Sequence, residues 1–362
     1  MSVWEWAGDI APVCKEHRLT LGEGGTPLVR SFRIGPSTGL SNLYFKLESS
    51  NPTGSYKDRF AAVAISEMRA RGRSRCVATS SGNTGAALAA YCAAAGMTCE
   101  VAVVETAPAG KLLQMLAYGA TLARIRGFGL DAEITRRSFD AARSRGNAPD
   151  AALQISAYHY SPVGMSGVQT IAYEIARQLP AGIDHVFVCA GGGGLTLAVA
   201  RGFGHLAATG RLLRPPTIEC VQPEGNATIA GPLQRGAMRA EAVECTTSVS
   251  GLQVPSVIDG DETLAACRRS RGTGHLVTDA EVWAVQARLA REEGIFCEPA
   301  AAVPLAGALR AAAAKAVRPD AVIVCLVTGS GFKDTPSAER MAIGREPRVV
   351  EVSEYERCIN NE

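Results

Sequence analysis

The stretch CVATSSGNTGAALAAYCAAAG, residues 76–96, contains the pattern that decides the fold. Its first residues (76–80) predict a buried strand, a polar loop follows at 80–85, and the alanine-rich remainder (85–96) predicts a helix. Another strand is predicted directly afterwards, by CEVAVVE at 99–105. A strand, a helix and a second strand in this order predict a βαβ unit with parallel strands.

Strand-like and helical segments go on alternating along most of the chain. Further strands are predicted at 120–125, 185–190, 217–222 and 321–327, and further helices at 110–119, 131–144, 166–178, 195–208, 279–293 and 299–315. This alternation predicts an α/β fold with two parallel-sheet halves that join near YHYSPVG (158–164), with helices on both faces of each sheet. We expect segments 223–278 and 335–362 to be irregular.

The composition of the chain is typical of a folded soluble protein. Of its 362 residues, 47% are hydrophobic and 20% are charged. The net charge of +2 gives no electrostatic basis for binding nucleic acid or an anionic membrane. The first ten residues do not resemble a signal peptide, and no stretch approaches the roughly 18 apolar residues of a membrane span. We therefore expect no nucleic-acid or membrane partner.

Cysteine and histidine usage predicts a reduced protein without a metal ion. The eleven cysteines are odd in number and scattered, and none forms a C-x-x-C pair. This pattern is typical of reduced thiols in the cytoplasm rather than of a disulfide framework. The five histidines lie far apart, without the spacing of metal ligands. We expect a cytoplasmic protein and no metal site.

Two polar loops follow predicted strands, where open parallel sheets bind their ligands. The loop SSGNTG (80–85) offers three hydroxyls, one amide and the free N–H groups of a helix start, which can bind an anion. An ordinary turn with a polar cap is the alternative. In TGSGFKD (328–334), the Thr328 hydroxyl either meets a ligand ring or caps the turn.

A third loop, GGGG at 191–194, lies between a predicted strand and a predicted helix. Glycines let a backbone approach a ligand closely, and a helix start favours phosphate. The loop is not a P-loop, because no Lys-Ser/Thr pair follows it, and Thr196 stands where a dinucleotide-binding loop needs its third glycine. Four consecutive glycines favour a phosphate held by backbone groups over a simple packing point.

A lysine stands in an unusual position in NPTGSYKDRF (51–60). Ser55 and Asp58 predict a helix start, so Lys57 lies in the first turn, where the helix dipole disfavours a cation. Either Lys57 points into water at a small cost, or the site lowers its pKa and makes it a nucleophile able to form a Schiff base. An activated lysine, an amide, a phosphate loop and a hydroxyl together match the requirements of pyridoxal phosphate.

Seven motifs in family order resemble threonine synthases, within the fold-type II pyridoxal-phosphate enzymes. They are LGEGGTPL (21–28), NPTGSYKDR (51–59), SSGNTGAALAAY (80–91), GKLLQMLAYGA (110–120), GGGGL (191–195), EGIFCEPAAA (293–302) and TGSGFKD (328–334). The resemblance implies two three-layer αβα domains with the active site in the cleft between them. It assigns 49–160 to a small mobile domain and 1–48 with 161–362 to a large cofactor-binding domain, in a homodimer.

The resemblance also assigns roles to individual residues of this sequence. Lys57 would form the Schiff base and act as general base, Asn83 would contact the ring oxygen of the cofactor, and Thr328 its ring nitrogen. The cofactor phosphate would lie on Gly191, Gly192, Gly193 and Gly194. The substrate would bind to Ser80, Ser81, Gly82 and Thr84.

Three positions depart from the threonine synthase pattern. Gly164 stands where the family has an arginine for the substrate phosphate, Gly191 replaces an asparagine, and Ala301 replaces a serine. The loss of a bidentate arginine removes the strongest kind of phosphate contact. We expect any substrate phosphate to depend on Lys111, Arg59, two loop hydroxyls and the helix start at 85.

These departures leave several functions open. A threonine synthase-like elimination and replacement at Cβ or Cγ of a small L-amino acid is favoured. The first alternative is β-replacement on an O-activated serine, as in cysteine synthase or cysteate synthase. The second alternative is dehydratase-like deamination of serine or threonine. A non-catalytic protein that binds the cofactor or an amino acid for regulation is a hypothesis of a different class.

Overall fold

The computed structural model describes residues 2–80, 82–105, 107, 109–345 and 347–359. The strands are β1 (Leu28–Arg30), β2 (Asn42–Leu47), β3 (Arg75–Thr79), β4 (Thr98–Val103), β5 (Thr121–Arg124), β6 (Ala151–Leu153), β7 (His185–Cys189), β8 (Thr217–Pro223), β9 (Gly274–Val277) and β10 (Val322–Val327). The helices are α1 (Ile34–Ser37), α2 (Lys57–Ala70), α3 (Asn83–Ala95), α4 (Ala109–Ala117), α5 (Ala132–Gly146), α6 (Pro162–Val168), α7 (Thr170–Gln178), α8 (Gly194–Ala208), α9 (Ala230–Gln234), α10 (Gly260–Arg269), α11 (Asp279–Glu293), α12 (Pro299–Ala313), α13 (Thr335–Ala342) and α14 (Val352–Ile359).

The strands form two sheets, and this confirms the predicted α/β class. The larger sheet has the order β1-β2-β10-β7-β8-β9, and only β1 is antiparallel to its neighbour. The smaller sheet has the order β5-β4-β3-β6 and is parallel throughout. The central strands β7 and β10 are nearly continuous apolar runs, because helices cover both faces of a parallel sheet.

The two sheets separate along the chain as the sequence predicts. All four strands of the smaller sheet lie between residues 75 and 153, and the six strands of the larger sheet lie outside this range. The domain boundaries at 49 and 160, and the mobility of the smaller unit, remain predictions. Within the described ranges, no helix is both long and apolar enough to cross a bilayer.

The prediction that segments 223–278 and 335–362 are irregular is wrong. They contain α9, α10, β9, α13 and α14. These elements are only four to ten residues long, so each contains too few turns for its apolar spacing to predict it. In α10, acidic residues fill the first turn and arginines the last turn, which suits the helix dipole, while Leu264 and Cys267 form its buried face. The predicted helix at 166–178 is likewise two helices, α6 and α7, which meet at Gln169.

Helix α2, which carries Lys57, has Tyr56 rather than the predicted Ser55 at its N-cap position. The Ser55 hydroxyl accepts only a long hydrogen bond (3.4 Å) from the Lys57 N–H. Asp58 does not complete the predicted capping pair. Its carboxylate instead accepts hydrogen bonds from the Thr53 N–H and hydroxyl, both at 3.0 Å, so it fixes the turn that precedes the helix.

A buried group of charges joins α2 to the larger sheet. Arg59, which is fully buried, donates to Glu48 from Nε (2.7 Å) and Nη2 (2.8 Å). It also donates to Glu174 in α7 from Nη1 (2.7 Å) and Nη2 (2.8 Å). Burial works against the charge on Arg59, but the two carboxylates raise its pKa well above the ordinary value. Lys46 of β2 adds a second cation, 2.7 Å from Glu174, so two positive charges face two negative ones.

We predict that Arg59→Met lowers the free energy of unfolding by about 3–5 kcal/mol, because it leaves Glu48 and Glu174 buried without a bidentate partner. Urea denaturation followed by circular dichroism measures this loss. The matched control is Arg71→Met, which removes an arginine that pairs with Glu67 while 66% exposed. The control should cost about 1 kcal/mol or less. Equal losses in the two variants would contradict the role given to Arg59.

Candidate active site

The start of α2 lies against the loop that follows β10. The Tyr56 N–H donates to the Thr328 carbonyl (3.0 Å), and Ser55 forms an isolated β-bridge with Gly329. The predicted lysine and the predicted ring-nitrogen partner are therefore neighbours through the backbone. Since β10 lies beside β7 in the sheet, the glycine loop after β7 opens on the same edge.

Lys57 is half-buried and its amine points into the protein, so it is not a freely hydrated surface lysine. Its Nζ donates to the Ser156 hydroxyl at 2.6 Å and lies 4.4 Å from the centre of the Tyr56 ring. Burial lowers the pKa of Lys57 to about 8, although the acidic groups of Cys189, Glu298 and Asp259 act in the opposite direction. The structure therefore supports the activated amine over the hydrated one.

Ser156 is a site residue that the sequence analysis missed. Its hydroxyl accepts from Lys57 and lies 2.9 Å from the Thr84 hydroxyl, so it joins the lysine to the substrate loop. Ser156 follows β6, a strand of three residues that was not predicted. A polar residue just beyond the carboxyl end of a strand is the signal that would have found it.

Asn83, the first residue of α3, is held by a buried acid that was also missed. Its Nδ2 donates to Glu298 Oε1 at 2.8 Å. Glu298 is 4% exposed, it precedes α12, and burial raises its pKa. A Cβ at Gly329 would lie 2.2 Å from Glu298 Oε1 and 3.2 Å from Asn83 Nδ2, so only glycine fits there. Asn83 and Glu298 therefore meet beside the Thr328 loop.

The loop residues predicted to hold the substrate have different surroundings. The Ser80 hydroxyl accepts hydrogen bonds from the N–H groups of Gly85 (2.9 Å) and Gly82 (3.3 Å), so it shapes the loop. Thr84 faces Ser156 and Lys57, as described above. Ser81 lies outside the described residues. The structure thus brings Thr84 nearest to the lysine.

The glycine loop fits a phosphate held by backbone groups. Gly193 has φ +98°, and a Cβ there would lie 2.4 Å from Thr263 Oγ1. It stands at the N-cap of α8 without any side-chain cap, so the first N–H groups of a 15-residue helix are available to an anion. Added Cβ atoms at Gly191 and Gly192 would meet aliphatic side chains at 3.2 and 3.4 Å.

Asp259 joins the glycine loop to the segment that contains Ser156. Its N–H donates to the Gly192 carbonyl (3.0 Å), and its carboxylate accepts from the N–H groups of Tyr158 (2.8 Å) and His159 (3.0 Å). Burial raises its pKa. Because backbone donors occupy both of its carboxylate oxygens, Asp259 has a structural role: it holds the segment at 158–159 beside the glycine loop.

Thr328 provides the test of whether the site fits pyridoxal phosphate. It is 2% exposed, and among the described residues its hydroxyl has no nitrogen or oxygen partner and lies against the Cys189 thiol, which is a weak one. A buried hydroxyl with so weak a partner is costly, and the ring nitrogen of the cofactor would satisfy it. Together with the amine of Lys57 and the uncapped start of α8, this poorly satisfied hydroxyl means that the residues present fit the cofactor.

The position of the missing arginine is closed by helix packing. Gly164 lies in α6 and is buried against α2, and a Cβ there would be 2.6 Å from the Phe60 ring and 2.9 Å from the Ala64 Cβ. No longer side chain fits between the two helices. Arg59 is equally unavailable, because its guanidinium is saturated by Glu48 and Glu174, and the expectation that it binds a substrate phosphate is wrong.

Two lysines line a small cavity beside Asn83. Lys111 of α4 lies 3.5 Å from Asp334, and Lys333 donates to Gln114 Oε1 at 2.5 Å. Burial lowers the pKa of Lys333. The cavity has a volume of about 50 Å³ and is lined by Gly82, Asn83, Ala86, Gly110, Lys111, Gln114, Phe332 and Lys333. It can accept a small anion at its edge.

We predict that Lys57 titrates with a midpoint near pH 8 in the protein freed of cofactor. Because its folded pKa is lowered, the neutral amine is half populated there, whereas an ordinary lysine reaches this point near pH 10.4. Competitive labelling with acetic anhydride, read by mass spectrometry at each pH, gives the midpoint. The same lysine in urea-unfolded protein is the control, and identical midpoints in the two states would refute the prediction.

Comparison with known proteins identifies the family of the chain. A family model described as pyridoxal-phosphate dependent enzyme matches residues 19–329. The threonine synthase of Methanosarcina acetivorans is 33% identical over 360 residues, which cover 97% of this chain and 84% of that protein. The threonine synthase of Mycobacterium leprae is 33% identical over 322 residues, which cover 88% of this chain and 85% of that protein.

Solved structures share the fold at lower identity. A processed threonine deaminase isoform 2 from Solanum lycopersicum matches with a TM-score of 0.75 at 22% identity, covering 94% of this chain and 92% of that one. Maize serine racemase matches with a TM-score of 0.73 at 24% identity, covering 88% and 92%. The chain belongs to the family of pyridoxal-phosphate dependent enzymes, and pyridoxal phosphate is its cofactor.

Proposed function

We propose that this protein is a threonine synthase-like lyase that catalyses elimination and replacement at Cβ or Cγ of a small L-amino acid. The observation that carries the proposal is the buried Lys57 amine, placed between Ser156 and the loop after β10. Near-full-length similarity to threonine synthases supports the same class of reaction. We further propose a cytoplasmic homodimer, with residues 49–160 moving against the remainder when substrate binds.

The chain's own residues provide the proton transfers. Pyridoxal phosphate, when bound, supplies an electron sink for the carbanion that forms at the substrate Cα. Lys57 holds the cofactor and then takes the Cα proton, for which a pKa of about 8 is well matched. Ser156 orients the Lys57 amine, and Thr84 beside it bonds the substrate.

Thr328 favours elimination and replacement over competing reactions. A hydroxyl does not hold the ring nitrogen protonated as a carboxylate would, so the electron sink is modest. Beside Gly329, Glu298 has its Oε1 bonded by Asn83. Asp334, at the far end of the loop, lies 3.5 Å from Lys111. Transamination and racemisation, which need a stronger sink, should therefore be minor.

The substrate's leaving group is the open part of the proposal. Within the described part of the site, neither the closed position at Gly164 nor the saturated Arg59 offers a guanidinium to a phosphate. Lys111 and Lys333 are the cations beside Asn83, and a lysine binds phosphate as a point charge, less specifically than an arginine fork. We propose that the leaving group is smaller or less charged than the phosphate of O-phosphohomoserine, or is a phosphate carried on serine.

We predict that borohydride reduction of the yellow holoenzyme fixes the cofactor on Lys57. The lowered pKa of Lys57, about 8, is the physical reason, because it makes the free amine available to the cofactor near neutral pH. Peptide mapping by mass spectrometry locates the label, and Lys46→Met, which removes another buried lysine, is the control that should keep it. Labelling of a lysine other than Lys57 would overturn the cofactor assignment, and a protein that takes up no cofactor would favour a regulator without catalysis.

We predict that O-phosphohomoserine is a poor substrate, with kcat/KM well below the usual enzyme range of about 10⁴ M⁻¹s⁻¹. The experiment compares it with O-phosphoserine, O-acetylserine, serine and threonine, each with and without an added nucleophile. Replacement only on activated serines would favour the β-replacement alternative, and keto-acid release from serine or threonine the dehydratase. Efficient formation of threonine from O-phosphohomoserine alone would show that the protein is an ordinary threonine synthase.

Lys111→Met and Lys333→Met should then raise KM at least tenfold for whichever anionic substrate is used, with a smaller effect on neutral ones. Each removes one cation from the cavity beside Asn83. Arg310→Met, on the exposed side of α12, is the control and should leave KM unchanged for both anionic and neutral substrates. Equal effects on charged and neutral substrates would assign the two lysines a structural role only.

A further inference from the structure

Three buried thiols meet at one point in the smaller sheet, away from the active site. Cys76 of β3, Cys92 of α3 and Cys99 of β4 are 0%, 0% and 5% exposed. Their sulfur atoms all lie within 4.8 Å of one another. Among the residues that the structure describes, no other group of three cysteines, histidines or acids converges in this way.

The βαβ unit itself creates this convergence. Cys76 and Cys99 are directly opposite each other in the neighbouring parallel strands β3 and β4. Helix α3 connects the two strands and packs on them, and it brings Cys92 onto the same point. The three cysteines are 16 and 7 residues apart, and this spacing matches no metal motif. The expectation of no metal site was based on sequence spacing, which does not reveal a group of cysteines that only the fold brings together.

We propose that Cys76, Cys92 and Cys99 form a binding site for one soft metal ion, such as Cu⁺ or a chemically similar d¹⁰ ion. The side-chain ligand atoms that the described residues bring to this point are three sulfurs, and thiolates select soft ions. A metal–sulfur distance of about 2.3 Å in a planar trigonal site places the sulfurs about 4 Å apart. All three sulfur separations are at most 4.8 Å, so none exceeds this spacing by more than 1 Å. Binding releases the three thiol protons to solvent, and no thiol is oxidised.

The site is reachable despite its burial. Cys92 and Cys99 are each one residue from an exposed position, Ala93 and Thr98 respectively. The turn between them contains Gly96 at φ +67°, which ends α3 two residues before β4 begins. An ion can enter by local opening of this turn, without unfolding of the sheet.

The metal would not take part in the reaction proposed above. Cys92 is nine residues along α3 from Asn83, which corresponds to about 14 Å of helix. Cys76 lies near the start of β3, whose other end leads to the substrate loop. A bound ion would instead connect β3, α3 and β4 near the amino ends of these strands, which are the ends away from the active site. It would thereby stabilise the smaller sheet.

Cadmium titration of the holoenzyme tests the proposal. The parent protein carries Cys14→Ser, Cys245→Ser and Cys358→Ser, which removes the exposed Cys14, the partly exposed Cys245 and the C-terminal Cys358. We expect one Cd²⁺ per chain, with a thiolate-to-metal charge-transfer band and a higher midpoint of thermal unfolding. Cadmium X-ray absorption of this parent should show three sulfur neighbours.

Single substitutions then assign the ligands. Cys76→Ser, Cys92→Ser and Cys99→Ser should each weaken cadmium binding at least tenfold, with cofactor absorbance and circular dichroism as checks on folding. The matched control is Cys220→Ser, from a separate buried pair with Cys267, and it should leave cadmium binding intact.

Three outcomes would overturn the site. They are a parent without the charge-transfer band, a band that survives in all three variants, and a spectrum with fewer than three sulfur neighbours. If the parent instead loses two hydrogens in air and binds no cadmium, the thiols form a disulfide, and the metal proposal also fails. Because the absorption measurement uses the parent alone, poor folding of a serine variant does not prevent a decision.

Discussion

The burial of one guanidinium group constrains the whole arrangement. Arg59 stands two residues after the cofactor lysine, and its charge is tolerated inside the protein only because Glu48 and Glu174 surround it. Those acids come from the end of β2 and from α7, so the start of α2 cannot shift without exposing unpaired charge. Buried ion pairs of this kind stabilise little in net terms, but breaking one is costly, and this asymmetry fixes the position of Lys57.

The fixed start of α2 in turn sets the electrostatics of the reacting amine. Lys57 sits in the dipole field of a helix start, is largely removed from water, and has a hydroxyl as its partner rather than a carboxylate. Each of these conditions disfavours the ammonium form. The opposing charge of Glu298 is limited because burial raises its pKa, although the hydrogen bond from Asn83 acts in the other direction. The site thus holds an amine with a pKa of about 8, so a far larger fraction of it is neutral at physiological pH than in an ordinary lysine.

Sequence reasoning located the long elements and the loops at their carboxyl ends, because long parallel strands and alanine-rich helices have clear periodicity. It missed Ser156 because β6 has only three residues, and it missed Glu298 because an acid ahead of a helix has the appearance of a cap. It also assigned Arg59 to the substrate, since nothing in the local sequence shows that two distant acids will enclose it. Contacts between residues far apart in the chain are what local patterns do not contain.

The packing of α6 against α2 has a consequence for substitutions at residue 164. At Gly164 the two helices are so close that even one methyl group would strike Phe60 and Ala64. An arginine at this position would therefore need at least one further change in α2, and α2 is the helix held by Arg59 and bearing Lys57. An arginine introduced alone would be expected to disturb the packing that fixes the cofactor lysine. The helix packing thus limits which substrate contacts single substitutions can add at residue 164.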